Sequence, residues 1–304
     1  MTYQEFLDEL TTYLTDELPA GTVPHLSSVW KNNGVKLDCL TVSSPRTSAS
    51  PALYPRQYYQ RLKRNESFES VAAEILSVYQ DSSFANRLDL SFFQDPQRIR
   101  ENIVCKLIHT RENEHLLKTV PHLSCLDLSV VFFLLLKIPE TDTAATVLIE
   151  NSHLKFWKLS AEDLPPLAIK NAPHLLPHEI IPMESMMREI LKPDSVEWLL
   201  EKEKEADMPP LYVLTNRQRL FGAGALLYPH LLENFAREHN RDLYVLPSSV
   251  HEVILMPASN GYSREEQDDL TEIVRQVNRD HVSQGEFLSD HAYFYSRSDD
   301  IFRY

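Results

Sequence analysis

Apolar residues recur along this chain with two distinct periods, and the opening residues already show the helical one. Phe6, Leu7, Leu10, Tyr13 and Leu14 follow helical spacing. Thr2 followed by Glu5 makes a capping-box pattern ahead of them, and Pro19 with Gly21 ends the run. A second stripe, Phe68, Val71, Ala72, Ile75, Leu76 and Tyr79, stands behind a capping Ser67 at i, i+3, i+4, i+7, i+8 and i+11. Between the two helices, residues 23–30 and 35–42 read as strands. Asn33-Gly34 lies between these strands and signals a hairpin, because its type I′ turn needs two successive positive φ angles.

The centre is strand-like. The longest apolar run is Leu128 to Leu136, broken only by Ser129. It is about half the roughly 20 residues a membrane-spanning helix needs, so it predicts a strand buried on both faces. Strands over 126–138 and 144–157 flank a polar turn at 139–143. Residues 96–107 begin as helix, and 112–119 predict another short one. Ser160 caps a helix carrying Leu164, Leu167 and Ala168, with two prolines in its first turns. Residues 184–207 form a charged helical stretch closed by Met208-Pro209-Pro210.

In the last third, residues 211–214, 242–246, 253–256 and 292–295 read as strands, with 222–227 as a further one. A helix carries Leu231, Leu232, Phe235 and Ala236. Ser263 and Glu266 make a second capping box, and Leu270, Ile273, Val274 and Val277 are that helix's expected buried stripe. Residues 147–151 and 212–216 end alike at an asparagine, so an internal ββα duplication and two ordinary β-turns both stay open. Hairpin-like strand pairs followed by helices predict an α+β fold with antiparallel or mixed sheets and packed helices. The expected organisation is an N-terminal region 1–125 and a C-terminal region 126–304, or one continuous domain.

Composition narrows the function classes. In 304 residues, 43% are apolar and 24% charged, so a real core is available. The net charge of −14 opposes binding to nucleic-acid phosphates and to anionic membranes. It favours solubility and leaves open the capture of a basic partner. The three cysteines, Cys39, Cys105 and Cys125, form no CxxC pair, which fits reduced thiols in a cytoplasm. No basic, apolar leader opens the chain. The six glycines form no phosphate loop, and the 12 histidines have no zincin spacing. No cofactor and no metal are therefore expected.

The densest polar cluster in an apolar setting is Pro247-Ser248-Ser249-Val250-His251-Glu252. Ser248, Ser249, His251 and Glu252 are candidates for nucleophilic acyl transfer, with Asp290 as an alternative orienting acid. In an extended segment Ser249 and His251 share a face while Glu252 alternates away. The competing reading is a hairpin turn whose hydroxyls satisfy backbone groups. Lys31 and Asn32 in the Asn-Gly turn, and Asn216 at a strand end, are candidate binding residues.

Several blocks carry a resemblance over nearly the whole chain. They include Lys31-Asn32-Asn33-Gly34-Val35, Leu126-Asp127-Leu128, Tyr212-Val213-Leu214-Thr215-Asn216, Leu246 through Ile254, and Leu288-Ser289-Asp290. On these the chain resembles a domain-of-unknown-function family of clostridia-related gut bacteria. The resemblance implies a single-copy, full-length cytoplasmic architecture and brings no active site with it. The functional expectation is a cytoplasmic, non-catalytic interaction or regulatory protein with a protein partner, without nucleic acid or membrane. A hydrolase at 248–252 and acidic capture of a basic partner are the alternatives.

Overall fold

A computed structural model describes residues 1–45, 50–80, 90–137, 144–190, 209–259 and 261–304. The polar turn expected at 139–143 and most of the charged stretch 184–207 lie outside the described residues. The chain forms two compact units that meet in sequence at Asp95–Pro96.

In the first unit, α1 (Tyr3–Glu17) starts at the predicted box: Thr2 Oγ1 accepts from Glu5 N–H at 3.3 Å, and Glu5 Oε2 accepts from Thr2 N–H at 2.7 Å. Strands β1 (Val23–Trp30) and β2 (Lys36–Ser43) pair antiparallel from Val23↔Ser43 to Trp30↔Lys36. Asn33 (φ 57°) and Gly34 (φ 66°) supply the two positive φ angles that the Asn-Gly signal required. Helices α2 (Pro55–Lys63) and α3 (Phe68–Gln80) follow. Phe6, Leu10 and Leu14 of α1 pack with Leu40 of β2 and Val71 and Ile75 of α3. Each such fully buried side chain contributes about 1.5–3 kcal/mol.

The second unit opens with α4 (Pro96–Glu101), where the sequence begins as helix, and then β3 (Ile103–His109). Next come α5 (Glu114–Leu117), β4 (His122–Cys125), β5 (Leu128–Lys137) and β6 (Ala144–Leu148). β5 is central. β3 runs along one edge, and β4 and β6 share the other edge in succession. Leu128, Ser129, Phe132 and Leu134 are buried, as expected for a strand covered on both faces. A division at 125 would part β4 from its partner β5.

Helix α6 (Asn151–Trp157) replaces the second half of the strand expected through 157. Glu150 caps it, with Glu150 N–H donating to His153 Nδ1 at 3.1 Å. Then follow α7 (Leu164–Leu175), β7 (His178–Pro182), α8 (Met183–Ile190), β8 (Tyr212–Asn216), α9 (Leu231–His239), β9 (Leu243–Ser249), β10 (Glu252–Pro257), α10 (Arg264–His281), β11 (Tyr293–Ser296) and β12 (Ile301–Arg303). The second sheet is antiparallel throughout, in the order β12-β11-β9-β10-β8-β7. This is an α+β architecture.

Two further expectations are corrected. Residues Gly222–Leu227 form a 3-10 helix rather than a strand. The small residues there permit close approach: a Cβ on Gly222 would overlap His251 O and Thr215 Oγ1. On α10, Val274 is buried, but Ile273 is 54% and Val277 40% exposed. Gln267 and Asn278, at 7% and 6%, take the buried positions instead. Among the described residues, no helix is long and apolar enough to cross a membrane.

Candidate functional site

The polar segment at 247–252 forms the end of β9, a turn and the start of β10. The side chain of Ser248 lies outside the described residues. Ser249 Oγ accepts from His251 N–H at 3.0 Å. His251 Nδ1 lies 3.0 Å from Arg219 O and 3.3 Å from Phe221 N, so the ring is held by the neighbouring loop. His251 O accepts from Thr215 Oγ1 at 2.8 Å. Hydroxyl and imidazole are thus tied to backbone groups and not to each other, as turn serines favour. Glu252 begins β10 opposite Ser249, and Asp290 lies elsewhere, hydrogen-bonded by Asn278 Nδ2 at 3.2 Å.

Lys31 Nζ stands 4.7 Å over the Tyr54 ring, and Asn32 opens the hairpin turn. Both belong to the first unit and Asn216 to the second. Asn216 is buried with its amide clamped on Leu220: Nδ2 donates to Leu220 O at 2.6 Å and Oδ1 accepts from Leu220 N–H at 3.0 Å. Asn151 instead stands exposed at the start of α6, so the two echoed asparagines do different work.

A different constellation is assembled around Asp127. Leu126 and Asp127 form the two-residue turn between β4 and β5, and Leu126 takes φ 57°, which a bulky side chain rarely adopts. Asp127 O accepts from Thr110 N–H at 2.9 Å, which fixes the turn against the end of β3. Ser289 Oγ donates to Asp127 Oδ2 at 2.6 Å, and Tyr293 Oη donates to Oδ1 at 2.6 Å. His291 Nδ1 lies 3.0 Å from Oδ2. His109 Nε2 approaches the same oxygen at 3.9 Å. An ionised carboxylate only accepts, so the His291 proton sits on Nδ1, and Nε2 is left as the ring's second polar atom.

Helix α10 holds this segment in place, which explains its polar buried face. Asn278 Nδ2 donates to Ser289 O at 2.7 Å, Gln267 Nε2 to Ala292 O at 2.8 Å, and Thr271 Oγ1 accepts from Ala292 N–H at 3.2 Å. Ser289 Oγ also accepts from His291 N–H at 3.0 Å. Buried backbone groups of an irregular segment need partners, and these side chains supply them.

Burial alone would raise the Asp127 carboxyl pKa. Donation from Ser289, Tyr293 and His291 outweighs it and holds the group below its ordinary value. Tyr293 is pushed far up, first by burial and then by the charge of Asp127. Cys125 is raised for the same two reasons, so its thiol is a poor nucleophile. Among the described residues, no three His, Cys, Asp or Glu side chains come together as a metal site.

His291 also lines a cavity of about 390 Å³, together with Tyr262, Arg264, Thr271, Arg275 and Tyr304. Its ring stacks on Tyr304 at 4.9 Å. Asp127 and Ser289 are 162 positions apart in sequence, so no local pattern joins them. The available signal was that both fall in blocks carrying the family resemblance. No curated protein and no solved structure matches the chain. A family model described as "Family of unknown function (DUF5688)" matches residues 3–297, and the chain belongs to that family.

Proposed function

We propose that this chain is a non-catalytic binding protein whose recognition centre is His291. The supporting observation is that the Asp127 carboxylate accepts a hydrogen bond from His291 Nδ1 at 3.0 Å while His291 lines a cavity of pocket size. Binding is favoured over acyl transfer because Ser289 Oγ donates to Asp127 and not to an imidazole. The test is a fragment screen read by NMR of the histidine ring signals. Saturable shifts at His291, absent at His251, are expected. Fragments that bind without moving His291 would overturn the reading.

A carboxylate orienting an imidazole also suits general acid–base catalysis, and this is the second reading. It predicts turnover of a bound ligand that is lost in His291→Asn while binding persists. A cytoplasmic protein partner, expected from the sequence, would be returned by affinity purification. Steep weakening of that complex by salt would support capture of a basic partner by the acidic surface.

A further inference from the structure

Resting on the reading of His291 as a binding residue, we propose that the cavity beside it takes a small organic anion: a phosphate or carboxylate carried on a flat aromatic body. Arg264, Asp268, Thr271 and Arg275 all line this cavity, and their spacing of four, three and four places them along one face of α10. His291 enters from the segment before β11. Two guanidiniums and an imidazole thus meet one carboxylate around a single concavity, in a chain whose net charge is −14. Each faces a carboxylate, Arg264 that of Asp268, Arg275 that of Glu272 and His291 that of Asp127, so it is the gathering of guanidinium and imidazole donors at one concavity, and not a net positive charge, that an anion would recognise.

Both arginines retain donor capacity. Arg264 Nε lies 3.9 Å from Asp268 Oδ2, and Arg275 Nη1 lies 3.6 Å from Glu272 Oε2. Both distances exceed hydrogen-bond length. Guanidinium forks suit the paired oxygens of a carboxylate or phosphate. The Tyr262 and Tyr304 rings supply walls for a flat body. Tyr262 already carries the Arg303 guanidinium 4.7 Å over its face, a third cation near the rim. The volume of about 390 Å³ accommodates one aromatic ring with its anionic group. A polyanion would meet repulsion from the rest of the surface, whereas a small anion brings only one or two charges.

The experiment is calorimetric titration of the full chain with phenyl phosphate, benzoate, inorganic phosphate and the neutral benzyl alcohol, alongside NMR of the His291 ring. Phenyl phosphate or benzoate is expected to bind saturably and to shift His291, with inorganic phosphate weaker and benzyl alcohol silent. The double substitution Arg264→Gln, Arg275→Gln is expected to weaken binding at least tenfold without changing the melting temperature. Equal binding by wild type and the double variant would overturn the inference, as would no binding of either aromatic anion. If benzyl alcohol moves His291 while the anions do not, His291 remains a binding residue and the anion inference alone fails.

Discussion

The turn between β9 and β10 and the cluster around Asp127 hold the same ingredients, a serine, a histidine and a carboxylate. In the turn they are neighbours in sequence, and the backbone consumes them: Ser249 Oγ bonds a turn N–H and His251 bonds the 219–221 loop. Around Asp127 they arrive from segments more than 160 positions apart and bond one another. Polar side chains close in sequence compete first for local backbone groups. A side-chain constellation needs partners whose own backbone is already satisfied, and α10 provides that for 289–292 through Asn278, Gln267 and Thr271.

The comparison breaks most sharply at Asp127. Asp127→Ala leaves the buried Tyr293 and Ser289 hydroxyls without their acceptor and is expected to cost about 3 kcal/mol in urea unfolding. A loss below about 1 kcal/mol would mean the cluster is not the structural hub described. The same carboxylate sets a pH window. Its folded pKa is depressed, so its stabilisation is present above the unfolded value of about 3.9 and is lost as pH falls through the lower folded value. Urea midpoints between pH 2.5 and 6 are expected to fall less steeply toward acid in Asp127→Asn than in wild type.

Tyr293→Phe removes one hydroxyl donor to a charged group, with an expected loss of about 2 kcal/mol. It also weakens what holds Asp127 ionised, so the acid transition is expected to move to higher pH. Ser249→Ala is expected to cost about 1 kcal/mol or less, as a turn bond does, and to leave the His291 ring signals unmoved. A change at His291 would mean the two regions are coupled. Smallest of all, Ile273→Ser on the exposed face of α10 is expected within about 0.5 kcal/mol of wild type, against about 1–3 kcal/mol for Val274→Ala.

That last pair shows where the pattern misled. Periodicity alone put Ile273 and Val277 in the core, because apolar spacing on α10 admits two adjacent faces. The choice went to the face that could bond the backbone at 289–292, which no rule on apolar spacing contains. The short strands β4, β7 and β12 were also not legible, since none carries the run of three apolar residues that marks the equally short β8 and β11. The 3-10 turn at 222–227 looked strand-like because its small apolar residues serve close packing and not a pleat.

The sequence by itself determined α1 with its capping box, the β1–β2 hairpin with two positive φ angles, the stripe of α3 and the doubly buried β5. Each rests on interactions between residues near one another in the chain, where period and turn chemistry act directly. It also determined the α+β class, through paired strands followed by helices. Only the tertiary structure decided that Asp127, Ser289, His291 and Tyr293 share one site, and which face of α10 is buried. Those outcomes depend on strand order and on which distant backbone groups need partners, and neither is written in the spacing of residues along the chain.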